Sequence, residues 1–298
     1  MKKKIIFRGT ATALVTPFRE GRVDFDALSR IIEDQIACGA DALVVGGTTG
    51  EAATLTDGER YSIFSFAKER VGGRVPLVFG TGTNDTSLAT RHTREAERIG
   101  CDGVLLVTPY YNKGTEEGIF RHYLTVSDAT NLPIILYNVP SRTGVNLGFS
   151  LLERLSRIEN IVAIKEASDS AERLVRLAGF GEELGLYAGS DTEIYPCLAL
   201  GGLGVISAVS NALPKETSKI TLAYSDGRLT DSLSAQLRIL PAVRALFLET
   251  SPAPLKYALS LLGLSSPEVR LPLAEVREST KREIEKALTE LGKWKIEG

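Results

Sequence analysis

The sequence predicts an α/β chain folded as a (β/α)8 TIM barrel with a C-terminal helical extension. Short apolar runs alternate with helix-period segments about eight times, the pattern of βα units around a parallel sheet. Runs such as "ALVV", "VLLV" and "IVAI" lack polar alternation, as parallel strands covered on both faces do. About eight such units in roughly 250 residues close a barrel of this kind. Beyond residue 226 the strands stop and only helical periodicity continues.

Taken in order, "TATALVTP" is a strand followed by the amphipathic "DFDALSRIIEDQIACG", and "DALVVGG" is followed by "TDGERYSIFSFAKERVGG". "VPLVFGTG" precedes "DTSLATRHTREAERIG", and "CDGVLLVTPYY" precedes "TEEGIFRHYLTVSDAT". "LPIILYNVP" leads to "LGFSLLERLSRI", "NIVAIKEAS" to "SAERLVRLAGF", "GLYAGSD" to "EIYPCLALGG" and "GVISAVSN" to "KETSKITLAYSDG". These units make residues 1–226 the barrel domain. Residues 227–298 form the extension, in which Pro241, Pro252, Pro254 and Pro272 are expected to break helices or occupy first turns. No Gly/Ser-rich linker separates the two.

The 298 residues are 43% hydrophobic and 24% charged, with a formal net charge of -2, enough to bury a sizeable core. Positive charges are dispersed, which argues against nucleic acid and against anionic membrane surfaces as partners. Cys38, Cys101 and Cys197 are far apart without CxxC spacing, so neither a disulfide framework nor a zinc site is expected, and a cytoplasmic location fits. The apolar run in "MKKKIIFRGT" is too short for a signal-peptide core, and no segment has membrane-span length.

Active sites of these barrels lie at the C-terminal ends of the strands. Those ends gather Thr48 and Thr49, Tyr110 and Tyr111, Tyr137 and Asn138, Lys165 and Asp191, with Arg142 just beyond Tyr137. A lysine flanked by buried strand residues has its charged form disfavoured, so its free amine becomes available as a nucleophile and a Schiff-base former. A lone lysine is more often salt-bridged or snorkelling. The convergence of Tyr137, Thr48 and Arg142 on the same rim favours chemistry, since imine formation needs a proton delivered and removed, which a tyrosine relayed through a threonine supplies. Such chemistry needs no metal and no cofactor. Glu166 is expected to point away from the site, into a salt bridge in the barrel wall. His92 and His122 lie within amphipathic helices and are read as surface or packing residues.

Glycines 46, 47 and 50 in "GGTTGE" allow a sharp turn whose amides and threonine hydroxyls suit a small carboxylate. The glycines of "GGLGVIS" leave a phosphate site around the last strands as a minority reading, with a phosphate-handling isomerase as its consequence. A barrel that has lost catalysis and serves only in binding is a further alternative, against which the complete set of relay residues argues.

"GGTTGE", "TPYYNK", "YNVPSRTG", "IKEAS" and "GVISAVSN", in this order and at barrel-strand spacing, resemble the dihydrodipicolinate synthases of lysine (diaminopimelate) biosynthesis, a family of the pyruvate-dependent class I aldolase (N-acetylneuraminate lyase) superfamily. The resemblance spans the whole chain. It implies a lyase in which Lys165 forms an imine with pyruvate and Tyr137 donates and accepts protons. It further implies that Thr48 and Tyr111 complete the relay, Tyr111 reaching into a neighbouring subunit's site, and that Thr49 holds the pyruvate carboxylate. Arg142 would bind the carboxylate of aspartate-4-semialdehyde, with Gly189 and Ile206 as backbone contacts. A homotetramer built as a dimer of dimers follows from the same resemblance. The alternative within enzymes is a pyruvate-dependent sugar-acid aldolase or lyase, whose members the resemblance expects to lack Arg142.

Lysine-inhibited members of the family bind the amino acid at a dimer interface. The matching positions here read Ala52, Asp57, Arg60, Asn84, Leu88 and Tyr110. Leu88 offers no carboxylate to an ammonium, and a desolvated, unpaired charge is costly. Asp57 is a possible substitute partner, yet the expectation is that free L-lysine does not inhibit.

Overall fold

The computed structural model describes residues 3–295; Met1 and Lys2 of the basic N-terminal stretch, and residues 296–298 of the helical extension, lie outside it. The first strand, β1 (Gly9–Ala13), is followed by a short antiparallel hairpin, β2 (Phe18–Arg19) and β3 (Arg22–Val23). Then come β4 (Ala42–Val45), β5 (Leu77–Gly80), β6 (Gly103–Val107), β7 (Ile134–Asn138), β8 (Ile161–Glu166), β9 (Gly185–Ala188) and β10 (Gly204–Ser207). All but the hairpin pair in parallel, and the order β1-β10-β9-β8-β7-β6-β5-β4 closes on itself, β1 bonding both β10 and β4. This is the (β/α)8 barrel expected. The hairpin went unforeseen because two residues per strand leave no periodicity to read.

The connecting helices are α1 (Phe25–Ala37), α2 (Asp57–Val71), α3 (Thr86–Ile99), α4 (Glu116–Ser127), α5 (Pro140–Thr143), α6 (Phe149–Ser156), α7 (Ala171–Ala178), α8 (Ile194–Ala199) and α9 (Pro214–Ser225). Their starts are set locally: Asp24, Asp85, Thr115 and Ser170 each accept a hydrogen bond from a first-turn amide, and Thr56 with Glu59 forms a reciprocal capping box on α2. Three helices complete the chain, α10 (Leu229–Leu246), α11 (Ala253–Leu261) and α12 (Glu278–Glu290). Pro254 falls in the first turn of α11 as expected. Pro241 does not break its helix: it lies inside α10, whose buried face of Ala235, Ile239, Ala242, Val243 and Leu246 holds the helix despite the missing N–H.

Strand side chains alternate between two apolar layers. Ala42, Val44, Ile135 and Ala163 pack with Ile206 in the barrel interior, while their neighbours Leu43, Val45, Leu136 and Ile164 pack against the helices. Carrying that period of two up β8 sends Lys165 inward after Ala163 and Glu166 outward after Ile164. The outward Glu166 is the wall residue foreseen, its carboxylate bonded to Arg173 at 2.8 Å and to Asn138, both partners of the ion pair buried.

The glycines of "GGLG" have a structural task. They lie between α8 and the start of β10, at the end of the strands opposite Lys165. A Cβ on Gly204, at φ 148°, would stand 1.9 Å from the Gly9 carbonyl oxygen. That close strand approach accounts for the glycine at 204.

Candidate active site

The period-two argument puts a lysine amine inside the barrel, and its surroundings define its chemistry. Lys165 pairs in register with Tyr137 on β7, and its Nζ stands 4.4 Å from the centre of the Tyr137 ring. Burial pushes the Lys165 ammonium down to about 8; Asp191 opposes that fall and Arg142 adds to it. Asp191 is itself 1% exposed, accepting hydrogen bonds from the Ser207 hydroxyl and the Ala208 and Val209 amides. Burial raises its pKa, against those bonds and the attraction of Lys165. Sequence reasoning placed Asp191 on the rim but gave it no part. It is a buried carboxyl group whose charge, when present, favours the lysine ammonium.

Tyr137 is 7% exposed, and burial pushes its phenol up while Arg142 and the Thr48 side chain pull it down. Thr48 sits in the turn that follows β4. There the Thr48 carbonyl accepts from the Glu51 amide at 3.0 Å, the Gly47 carbonyl accepts from the Gly50 amide at 3.1 Å, and the Thr16 hydroxyl donates to the Gly50 carbonyl at 2.7 Å. Gly46 opens the turn at φ 70°, where a Cβ would stand 2.6 Å from the Phe64 ring, so no larger residue fits. Thr49, next in the turn, is buried.

Thr48, Tyr137 and Arg142 line one cavity of about 320 Å³ together with Gly46, Tyr110 and Ser251. Lys165 adjoins it through Tyr137. Arg142 rides on α5, which Pro140 starts and Gly144 ends; its Nη2 donates to the Ser251 carbonyl at 3.0 Å, and the residue as a whole is exposed. Gly189 follows β9 and donates its amide to the Glu166 carbonyl at 2.6 Å; Ile206 is fully buried on β10. Neither lines the cavity. Tyr111 is not brought to the site within this chain: at φ 71° its side chain is 87% exposed. Among the described residues no group of three His, Cys, Asp or Glu side chains is placed to hold a metal ion.

The two histidines are packing groups, more buried than expected. His122 bonds the Thr86 hydroxyl and burial pushes it down to about 4; His92 faces Asp57. Asp57 is thereby occupied, its other oxygen 2.7 Å from Arg91. Arg60 is buried against the Gly80 and Ala52 carbonyls.

Residues 6–291 match the sequence profile of the dihydrodipicolinate synthetase family. The chain belongs to that family. A 4-hydroxy-tetrahydrodipicolinate synthase of Clostridium novyi (strain NT) is 43% identical over 289 residues, covering 97% of this chain and 98% of the relative. One of Alkaliphilus oremlandii (strain OhILAs) is 42% identical over 280 residues, 94% of this chain and 97% of the relative. Among solved structures, the dihydrodipicolinate synthase of Thermotoga maritima superposes with a TM-score of 0.95 at 39% identity, covering 97% of this chain and 99% of that one. That of Methylacidiphilum fumariolicum SolV gives a TM-score of 0.94 at 39% identity, covering 96% of each chain. The family spans the barrel and the helical extension alike.

Proposed function

We propose that this member of the family is a 4-hydroxy-tetrahydrodipicolinate synthase, a lyase that condenses pyruvate with L-aspartate-4-semialdehyde in lysine biosynthesis. The observation that carries the reading is the desolvated Lys165 amine beside the buried Tyr137, with Thr48 and the exposed Arg142 lining the same cavity.

In this reading the free amine of Lys165 attacks the pyruvate ketone, and the carbinolamine loses water as Tyr137 delivers a proton to the departing oxygen. Thr48 links Tyr137 to the next member of the relay. Loss of a methyl proton gives the enamine, whose carbon attacks the semialdehyde carbonyl. The substrate's own amine then adds to the imine carbon and displaces Lys165, closing the ring and restoring the catalyst. Thr49 holds the pyruvate carboxylate, with Gly189 and Ile206 as neighbouring backbone contacts, and Arg142 takes the semialdehyde carboxylate with the part of its fork that Ser251 leaves free.

Tyr111 supports an assembly: a tyrosine 87% exposed, held in left-handed backbone, is poised to serve a site other than its own chain's. That calls for at least a dimer, and the family resemblance extends it to a homotetramer arranged as a dimer of dimers. A cytoplasmic location is supported by Cys38, Cys101 and Cys197 all being free thiols. No helix among the described residues is long and apolar enough to cross a membrane.

Borohydride reduction in the presence of pyruvate tests the imine. Intact mass should rise by one pyruvyl group in the wild type and stay unchanged in Lys165→Ala; labelling at another lysine overturns the assignment. Arg142→Ala separates this reaction from a sugar-acid aldolase: imine trapping should persist while kcat/KM for the semialdehyde falls by about tenfold to a hundredfold, the worth of a charge-assisted carboxylate contact.

A further inference from the structure

The chain leaves the barrel after α9, runs through α10, and comes back to the mouth of the cavity at residues 251–256. Two contacts mark the return. The Ser251 carbonyl accepts from Arg142 Nη2 at 3.0 Å, and Lys256, one turn into α11, places its Nζ 2.5 Å from Glu51 Oε1. Ser251 and Pro252 also line the cavity.

Glu51 is the last residue of "GGTTGE". Its backbone is left-handed at φ 53°, an arrangement that costs a non-glycine residue and persists only where surroundings enforce it. The enforcement is visible. Its amide closes the turn onto the Thr48 carbonyl, its Oε1 meets Lys256, and its Oε2 accepts from the Arg270 amide at 3.0 Å. Arg270 in turn grips Glu59 on α2 with two nitrogens and donates to the Thr54 carbonyl at 3.0 Å. The Lys256 ammonium also donates to the Glu268 carbonyl at 2.7 Å and lies 4.1 Å from the centre of the Phe18 ring. The Lys256 and Glu51 side chains are 0% and 1% exposed.

A buried ion pair is a poor device for stability alone, since apolar residues of similar volume often serve as well or better. What it supplies is a fixed position. The atoms it fixes carry Thr48, which lines the same cavity as Tyr137 and whose hydroxyl pulls the Tyr137 phenol down.

We propose that residues 251–256 of the C-terminal extension form a bracket across the active-site mouth. In it Lys256 and Glu51 are positioning residues that hold Thr48 against Tyr137, and the Ser251 carbonyl sets the direction of Arg142. The extension is thereby part of the working site rather than a cover for the barrel's outer wall. This inference rests on the imine reaction given above.

The test uses the full chain with Glu51→Gln/Lys256→Met, which removes both buried charges together, and Glu51→Gln alone, which keeps the side chain's shape but leaves one acceptor oxygen for the two donors, Lys256 Nζ and the Arg270 amide. Circular dichroism and thermal unfolding establish the fold, borohydride trapping at saturating pyruvate measures the extent of imine, and steady-state kinetics give kcat and both KM values. The expected result is wild-type imine extent, because Lys165 is untouched, with kcat lowered by about tenfold or more and KM for pyruvate changed by less than about threefold, the signature of a displaced relay group. Should the double variant not fold, Glu51→Gln alone decides by the same readouts. A folded variant with kcat within about twofold of wild type overturns the bracket. Wild-type protein that traps no pyruvyl adduct overturns the imine reading itself, so the two failures are distinct.

Discussion

The pKa of Lys165 can be read out as a rate. Burial holds the ammonium down to about 8 against an ordinary 10.5, a difference worth about 3 kcal/mol between the two protonation states. The group is buried, so its charged form is disfavoured and the reactive free amine gains as pH rises through about 8. With a pKa of about 8, about one lysine in eleven is free amine at pH 7, against about one in three thousand at 10.5. Imine formation with saturating pyruvate, sampled by timed borohydride quench and intact mass, should therefore rise about tenfold between pH 7 and pH 9 and then flatten. An unperturbed lysine would give about a hundredfold rise over the same interval and still be climbing. Asp191→Asn removes the carboxylate that favours the ammonium, so its midpoint should move to lower pH. A wild-type profile with no inflection below pH 10, or an Asp191→Asn midpoint equal to or above the wild-type value, would falsify the reasoning.

The exposed Tyr111 predicts complementation between subunits: Tyr111→Phe and Lys165→Ala are each nearly inactive, yet random mixing into dimers should restore about a quarter of wild-type activity, because half the dimers are mixed and one of their two sites is intact. Mixtures that stay inactive while exchange of subunits is demonstrated by mass would remove the shared site. Arg173→Leu strips Glu166 of its 2.8 Å partner in a site where both side chains are buried, and should lower unfolding stability by about 3–5 kcal/mol in denaturant titrations; a loss below about 1 kcal/mol contradicts the pairing. Free L-lysine at millimolar concentration should leave the initial rate unchanged, since Leu88 provides no carboxylate and Asp57 is engaged by Arg91 and His92. Cooperative, sub-millimolar inhibition would show that another anion takes the ammonium.

Some of the site was legible because its causes are local. An apolar, β-branched run ending in "KEAS" sets a buried strand, and a period of two then sends Lys165 and Glu166 to opposite faces of the sheet. The same holds for helix starts such as Thr56 with Glu59, where cap and partner stand within one turn. Where a preference competes with packing, local reading misleads: Pro241 reads as a break, but the apolar face of α10 overrides it.

By itself the sequence determined the barrel, the rim on which reactive groups gather, the identity of the buried lysine and the wall role of Glu166, since strand period and burial are properties of neighbouring residues. Only the tertiary structure decided that Glu51 meets Lys256, that Ser251 meets Arg142, that Asp191 faces the Lys165 amine, and that Tyr111 turns away from its own chain's cavity. These are pairings between residues remote in the chain, and a lysine in "APLKYAL" looks like any solvated helix residue until another segment closes over it. Whether a charge is paired, shifted or exposed depends on what folding brings against it, and no local period encodes that.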